Sequence, residues 1–303
     1  GELADRIFDG DPTFPISRRD EAVSRLQTEL TAARDRRAAT LKSELAAALA
    51  DLREPVDRLV RNALELDVEL AIARFATDFD CTLPEFVDAD SGFEITAGRS
   101  PLLDVEFEAV DPVDYGVEGV TLLSGVNSGG KTSLLDLVGL VVVLAHMGLP
   151  VPAESARLQR FTELHYYAKS QGTLDAGAFE STVREFGDLV AGAEGRLVLV
   201  DELESITEPG ASAKIIAGIL EALDTQGATA VFVSHLADQI REAADVEVAV
   251  DGIQAVGLVD GELEVDRSPV KDHLARSTPE LIVEKLAGEA PDASFYESLL
   301  EKF

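Results

Sequence analysis

A single cysteine, Cys81, stands in 303 residues, so there is no pair to close; a disulfide framework is excluded and a reducing compartment fits. Long apolar runs are missing as well. The longest, Leu137 to Ala145, falls far short of the roughly 18 residues that a membrane span needs. No secretory leader pattern is present, and the chain reads as cytoplasmic, with no membrane partner. Lysine is scarce: seven of the twenty-six basic residues, set against fifty-seven acids, for a net charge of −31. Such a surface has two readings, a general repulsion of nucleic acid or halophilic adaptation to a very salty cytoplasm. At about 1 M salt the Debye length is only about 3 Å, and charge then serves mainly solubility. The acids are spread along the whole chain and not gathered in a tail, which favours the halophilic reading. The first residue is Gly1 and not Met, with helix-like sequence almost at once, so the chain reads as the C-terminal part of a longer protein.

What is present centres on Gly125-Val126-Asn127-Ser128-Gly129-Gly130-Lys131-Thr132, followed by Ser133. It fits the phosphate-loop pattern of Gly, four residues, then Gly-Lys-Thr, with an apolar strand, Val120 to Leu123, before it and a helix-like run, Ser133 to His146, after it. Main-chain N–H groups of such a loop point at a phosphate, and the helix start adds positive potential. Lys131 would reach the β- and γ-phosphates of ATP, and Thr132 would place its hydroxyl on Mg²⁺. Downstream, the apolar strand Leu197 to Val200 ends in Asp201-Glu202, 70 residues after Lys131. Asp201 is the expected second Mg²⁺ residue and Glu202 the residue that orients the attacking water. His235, after the next strand, is expected to face the γ-phosphate.

Along the chain, residues 1–16 carry Gly10, Pro12 and Pro15 and read as an irregular lead-in. From Ser17 to about Arg53 neither Gly nor Pro occurs, and Leu41, Leu45, Leu49, Leu52, Val56 and Leu59 recur at spacings of four and three. This is a long helix with a narrow apolar seam, suited to a partner helix; Pro55 either kinks it or opens a second helix. Ten Lys/Arg and eight Asp/Glu between Ser17 and Arg61 make it the one stretch that is not strongly acidic. Residues 80–119 are turn-rich and extended, which places a domain boundary at about residue 80: a helical segment, 1–79, and an α/β domain with a mixed sheet, 80–303. Asp251-Gly252 and Asp260-Gly261 separate β-branched runs and read as the tight turns of an antiparallel meander. The end is helical, with Ser277-Thr278-Pro279 capping the first helix.

Several segments together resemble the MutS-type ATPases: Leu64-Glu65-Leu66-Asp67-Val68, Gly98-Arg99-Ser100-Pro101, the phosphate loop, Met147 to Glu154, Leu199-Val200-Asp201-Glu202 and Phe232-Val233-Ser234-His235. They fall in that family's order. The resemblance implies an ABC-type P-loop ATPase domain that hydrolyses ATP between the protomers of a homodimer, preceded by a helical core and lever that reaches toward mismatched or branched duplex DNA. The partner would supply a signature serine, and Ser181, in Gly177 to Thr182, is the residue best placed to imitate it; the plain alternative is that Ser181 and Thr182 cap a helix. Three departures stand out. The family's Gly-Arg-His-Pro has Ser100 in the histidine's place, its Gly-x-Ser-Thr-Phe signature has two extra residues before Ser181, and its Gly-Thr-Ser-Thr loop is replaced by Ser205-Ile206-Thr207-Glu208-Pro209-Gly210. No mismatch-reading domain is visible, which casts doubt on mismatch repair proper and points to an archaeal, haloarchaeal relative that binds structured DNA. An SMC-like ABC ATPase and a nucleotide-binding scaffold stay open. The first would show a Ser-Gly-Gly signature beyond the loop and a returning coiled coil.

Overall fold

The computed structural model describes residues 20–89, 91–126, 129–168, 176–206, 208–259, 262–275, 278–290, 293–300 and 302. Its contacts divide the chain into two units, Gly1–Ala71 and Ile72–Phe303. The first is dominated by one helix, α1 (Asp20–Asp78), which continues into the second. Pro55 lies inside it, so of the two readings the second helix is ruled out. The proline removes one N–H, and the carbonyl it frees belongs to Asp51, an exposed residue where water can take the bond. The expected seam is there, and it is open: Leu45, Leu49, Leu52 and Leu59 are 54–67% exposed.

The second unit holds two sheets. One has the order β1 (Glu85–Phe86), β5 (Ser155–Leu158), β2 (Phe93–Gly98), β3 (Val113–Val117). The other has six strands in the order β10 (Glu262–Val270), β9 (Ala249–Val259), β4 (Val120–Gly125), β8 (Thr229–Val233), β7 (Arg196–Asp201), β6 (Glu163–Tyr167). All its neighbours are parallel except β9 and β10. A mixed α/β fold is therefore observed.

The central strands read as near-continuous apolar runs, with Thr121, Ser124 and Thr229 as buried polar exceptions, because both faces of the sheet are covered. Successive residues point to opposite sides. Leu123, Leu197, Leu199, Val231 and Val233 pack with α2 (Lys131–His146) and the smaller sheet. Leu122, Val198, Val200 and Phe232 pack with residues of α3 (Ala176–Val190), α4 (Pro209–Thr225) and α5 (Ala237–Ala243). Burying each such aliphatic side chain contributes about 1.5–3 kcal/mol, which makes these strand ends a stiff support for what they carry.

One expected turn is absent. β9 runs straight through Asp251-Gly252, and the glycine serves close approach instead: a Cβ there would lie 2.5 Å from the His273 carbonyl oxygen. Asp251 is buried and paired with Lys271 at 2.8 Å. Asp260 and Gly261 lie outside the described residues, as does Ser277; the helix expected after it, α6, begins at Thr278 and ends at Glu289, and α7 (Ser294–Leu300) follows. No helix among the described residues is long and apolar enough to cross a membrane.

Cys81 follows α1. Burial first, and the Asp80 charge second, push its thiol up to about 11. That rise lowers the thiolate fraction roughly 100-fold at pH 8, while the more basic thiolate regains about tenfold in nucleophilicity. Iodoacetamide should therefore label Cys81 about tenfold more slowly than free cysteine at pH 8, with the gap closing above pH 10. Labelling as fast as free cysteine at pH 8 would contradict the burial.

Candidate functional site

The loop between β4 and α2 has its glycines where a side chain would not fit. A Cβ on Gly129 would sit 2.9 Å from the Val126 carbonyl oxygen. Gly130 caps α2 in the left-handed region, φ 89°, without a side-chain acceptor for the first helical N–H groups. Asn127 and Ser128 lie outside the described residues.

Lys131 opens α2 and is 5% exposed. Its ammonium donates to the carbonyl oxygens of Gly125 at 2.9 Å and Val126 at 3.0 Å, so it lies against the loop it belongs to. Thr132 donates its hydroxyl to Asp201 Oδ2 at 2.7 Å. Asp201 is buried at the end of β7, and strand order explains the meeting: β8 alone separates β7 from β4. Hard oxygen donors from a threonine and a carboxylate suit Mg²⁺, and the glycine cradle suits a phosphate, so the residues present fit both groups.

Glu202 follows with φ +49°, an unusual backbone for glutamate, and its N–H bonds the Val233 carbonyl at 3.1 Å. Its Oε1 lies 3.0 Å from His235 Nε2 at the end of β8. The site thus joins Thr132 to Asp201 and Glu202 to His235. Ser133 lies at the rim of a neighbouring cavity. Ser181 is exposed on α3, which begins five residues earlier at Ala176. It lies in the second turn and does not cap the helix.

Sequence reasoning missed three features. Tyr166 donates its hydroxyl to Asp136 Oδ1 at 2.6 Å; burial, then that bond and the charges of Asp136 and Asp201, push its phenol far above the usual range. Glu204 accepts the His235 N–H at 2.7 Å. A cavity of about 300 Å³ opens beside Gly130 and Ser133, floored by Val110, Leu134 and Leu137, with Arg267 at its edge paired to Asp111 at 3.3 Å. Its walls come from separated segments, and no local pattern announces it. A larger cavity of about 820 Å³, lined by Tyr115, Asp251 and Lys271 among others, shares none of its residues with the loop.

The family model for MutS domain V matches residues 121–277. The DNA-binding protein MutS2 of Pyrococcus furiosus is 39% identical over 259 residues, covering 80% of this chain and 44% of that protein. The Endonuclease MutS2 of Gemmatimonas aurantiaca is 35% identical over 193 residues, covering 61% of this chain and 24% of its own length. That of Pelotomaculum thermopropionicum is 32% identical over 211 residues, 68% of this chain and 27% of that protein. The chain spans less than half the length of these relatives.

Proposed function

The chain belongs to the MutS family, and from that membership we propose that it binds ATP with Mg²⁺ at residues 125–133 and hydrolyses the nucleotide to control binding to mismatched or branched duplex DNA. The observation that carries this reading is the pairing of Thr132 with Asp201 and of Glu202 with His235 beside a glycine-walled loop. Bound Mg²⁺ would neutralise charge on the β- and γ-phosphate oxygens. Thr132 and Asp201 would hold it, Lys131 would turn from its loop carbonyls to the phosphates, and Glu202 would orient water with His235 beside it. The cavity next to Ser133, with its apolar floor and Arg267 edge, suits the nucleoside.

On this reading residues 80–303 form an ABC-like ATPase domain and residues 1–79 a helical core and lever. The active unit is a homodimer in which Ser181 acts across the interface, since the loop, Lys131, Asp201 and His235 surround a γ-phosphate from one side. The acidic surface suits a halophilic cytoplasm. ATP turnover in molar KCl, with and without branched or mismatched duplex, tests the function. Turnover that responds to structured DNA supports it, and no turnover under any of these conditions removes it.

DNA would be met through α1 and not the acidic body. Arg36, Arg37 and Arg58 are exposed there, while Arg34 pairs with Asp35 at 2.7 Å; Arg18 and Arg19 lie outside the described residues. Reversing Arg36 and Arg37 to Glu should weaken binding at every sequence and reduce the salt slope by roughly 2, about one for each phosphate no longer neutralised. Binding titrations across salt measure this. An unchanged slope takes the arm out of the DNA interface.

A further inference from the structure

We propose that Glu204 is a positioning residue: its carboxylate holds the main chain of His235 and, through it, the Glu202–His235 pair. Glu204 lies in a 3₁₀ turn, Leu203–Ile206, two residues past Glu202. Its Oε1 accepts the His235 N–H at 2.7 Å, a bond across 31 residues of sequence. Its Oε2 is buried and has no hydrogen-bond partner among the described residues. Burying a carboxylate oxygen unsatisfied costs stability, so an acid at this position carries a penalty that its bond to His235 offsets only in part. The main-chain oxygen of Glu204 is anchored separately, by the Ser212 hydroxyl at 3.1 Å, and Ser212 is fully buried in α4. Glu204 is thus held at its main chain by Ser212 while its carboxylate bonds His235.

What it reaches needs holding. The His235 side chain is 37% exposed, and its ring meets Glu202 at 3.0 Å. Glu202 has the strained φ of +49°, kept in place by its own N–H bond to Val233. With the Glu204 bond added, a closed circuit runs from Glu202 to the His235 ring, through the His235 main chain to the Glu204 carboxylate, and back along two residues of chain. Removing the Glu204 link leaves the His235 N–H to water and the ring with a freer hinge. An exposed imidazole released in this way moves away from Glu202, and displacement of about 1 Å at such a pair can lower a rate by up to 100-fold. The consequence for turnover rests on the hydrolytic role proposed above; the consequence for His235 does not.

The test compares the full chain with Glu204→Ala and Glu204→Gln. The imidazole Cε1–H cross-peak of His235, one of four histidines and assigned with His235→Asn, is followed alongside ATP turnover. In Glu204→Ala the cross-peak should move, kcat should fall ten- to 100-fold, and KM for ATP should stay within about twofold. Glu204→Gln keeps a carbonyl acceptor and should restore the cross-peak and at least half of kcat. A fixed cross-peak with unchanged kcat in Glu204→Ala overturns the proposal, as does a Gln variant that behaves like the Ala one. If the parent chain shows no turnover but the cross-peak moves and Gln restores it, the positioning role stands and the hydrolytic reading falls.

Discussion

Glu202→Gln is expected to bind ATP as tightly as the parent chain and to hydrolyse it about 10²- to 10³-fold more slowly. The glutamine keeps the length of the side chain and an oxygen that His235 can meet at the present 3.0 Å, so the local geometry survives. It loses the negative charge that, in the proposed role, would polarise a water and accept its proton. Since the φ of +49° belongs to the backbone and not to the carboxylate, the strained turn is undisturbed. Single-turnover hydrolysis and binding of a fluorescent nucleotide separate chemistry from affinity. Turnover equal to the parent's would remove Glu202 from the water-orienting role, and an absence of binding would place it in the nucleotide cradle instead.

Lys131→Ala is expected to weaken ATP binding about 10- to 100-fold, the range expected when a phosphate is deprived of one charged hydrogen-bond donor. Lys131 is 5% exposed and its ammonium is held by the Gly125 and Val126 carbonyls, beside the loop proposed to receive the phosphates. Truncation also removes the ammonium from both carbonyls, although the Val126 oxygen keeps the Gly129 N–H at 3.1 Å. A melting temperature measured beside the affinity therefore separates a loosened loop from a missing charge. Mixing extends the test to the proposed dimer. A Lys131→Ala protomer combined with Ser181→Ala should regain part of the turnover, because one of the two sites then has both residues intact. No gain from confirmed mixed dimers would leave Ser181 as a plain residue of the second turn of α3.

The residues from Val120 to His146 carried their own structure in sequence. An apolar run, three glycines and a long apolar helix are signals within a few residues of one another, and β4 and α2 follow from them. The parallel core strands were legible for a related reason, since a strand buried on both faces is largely apolar. Asp251-Gly252 misled, because a turn pair and a glycine needed for close approach look alike until the segment at His273 is in place. Pro55 left two readings open, and the single helix is the one observed, as an exposed helix tolerates a missing bond that a buried one would not. Thr132 and Asp201 were expected at one site from their motifs, whereas the contact of Glu204 with His235 was decided only by tertiary structure. Thr132 and Asp201 stand 69 residues apart, and Glu204 and His235 thirty-one, and their meeting depends on β8 lying between β4 and β7. Local preferences select the elements, whereas the order of strands is selected by how two apolar faces are best covered at once. The pairings at the strand ends inherit that choice.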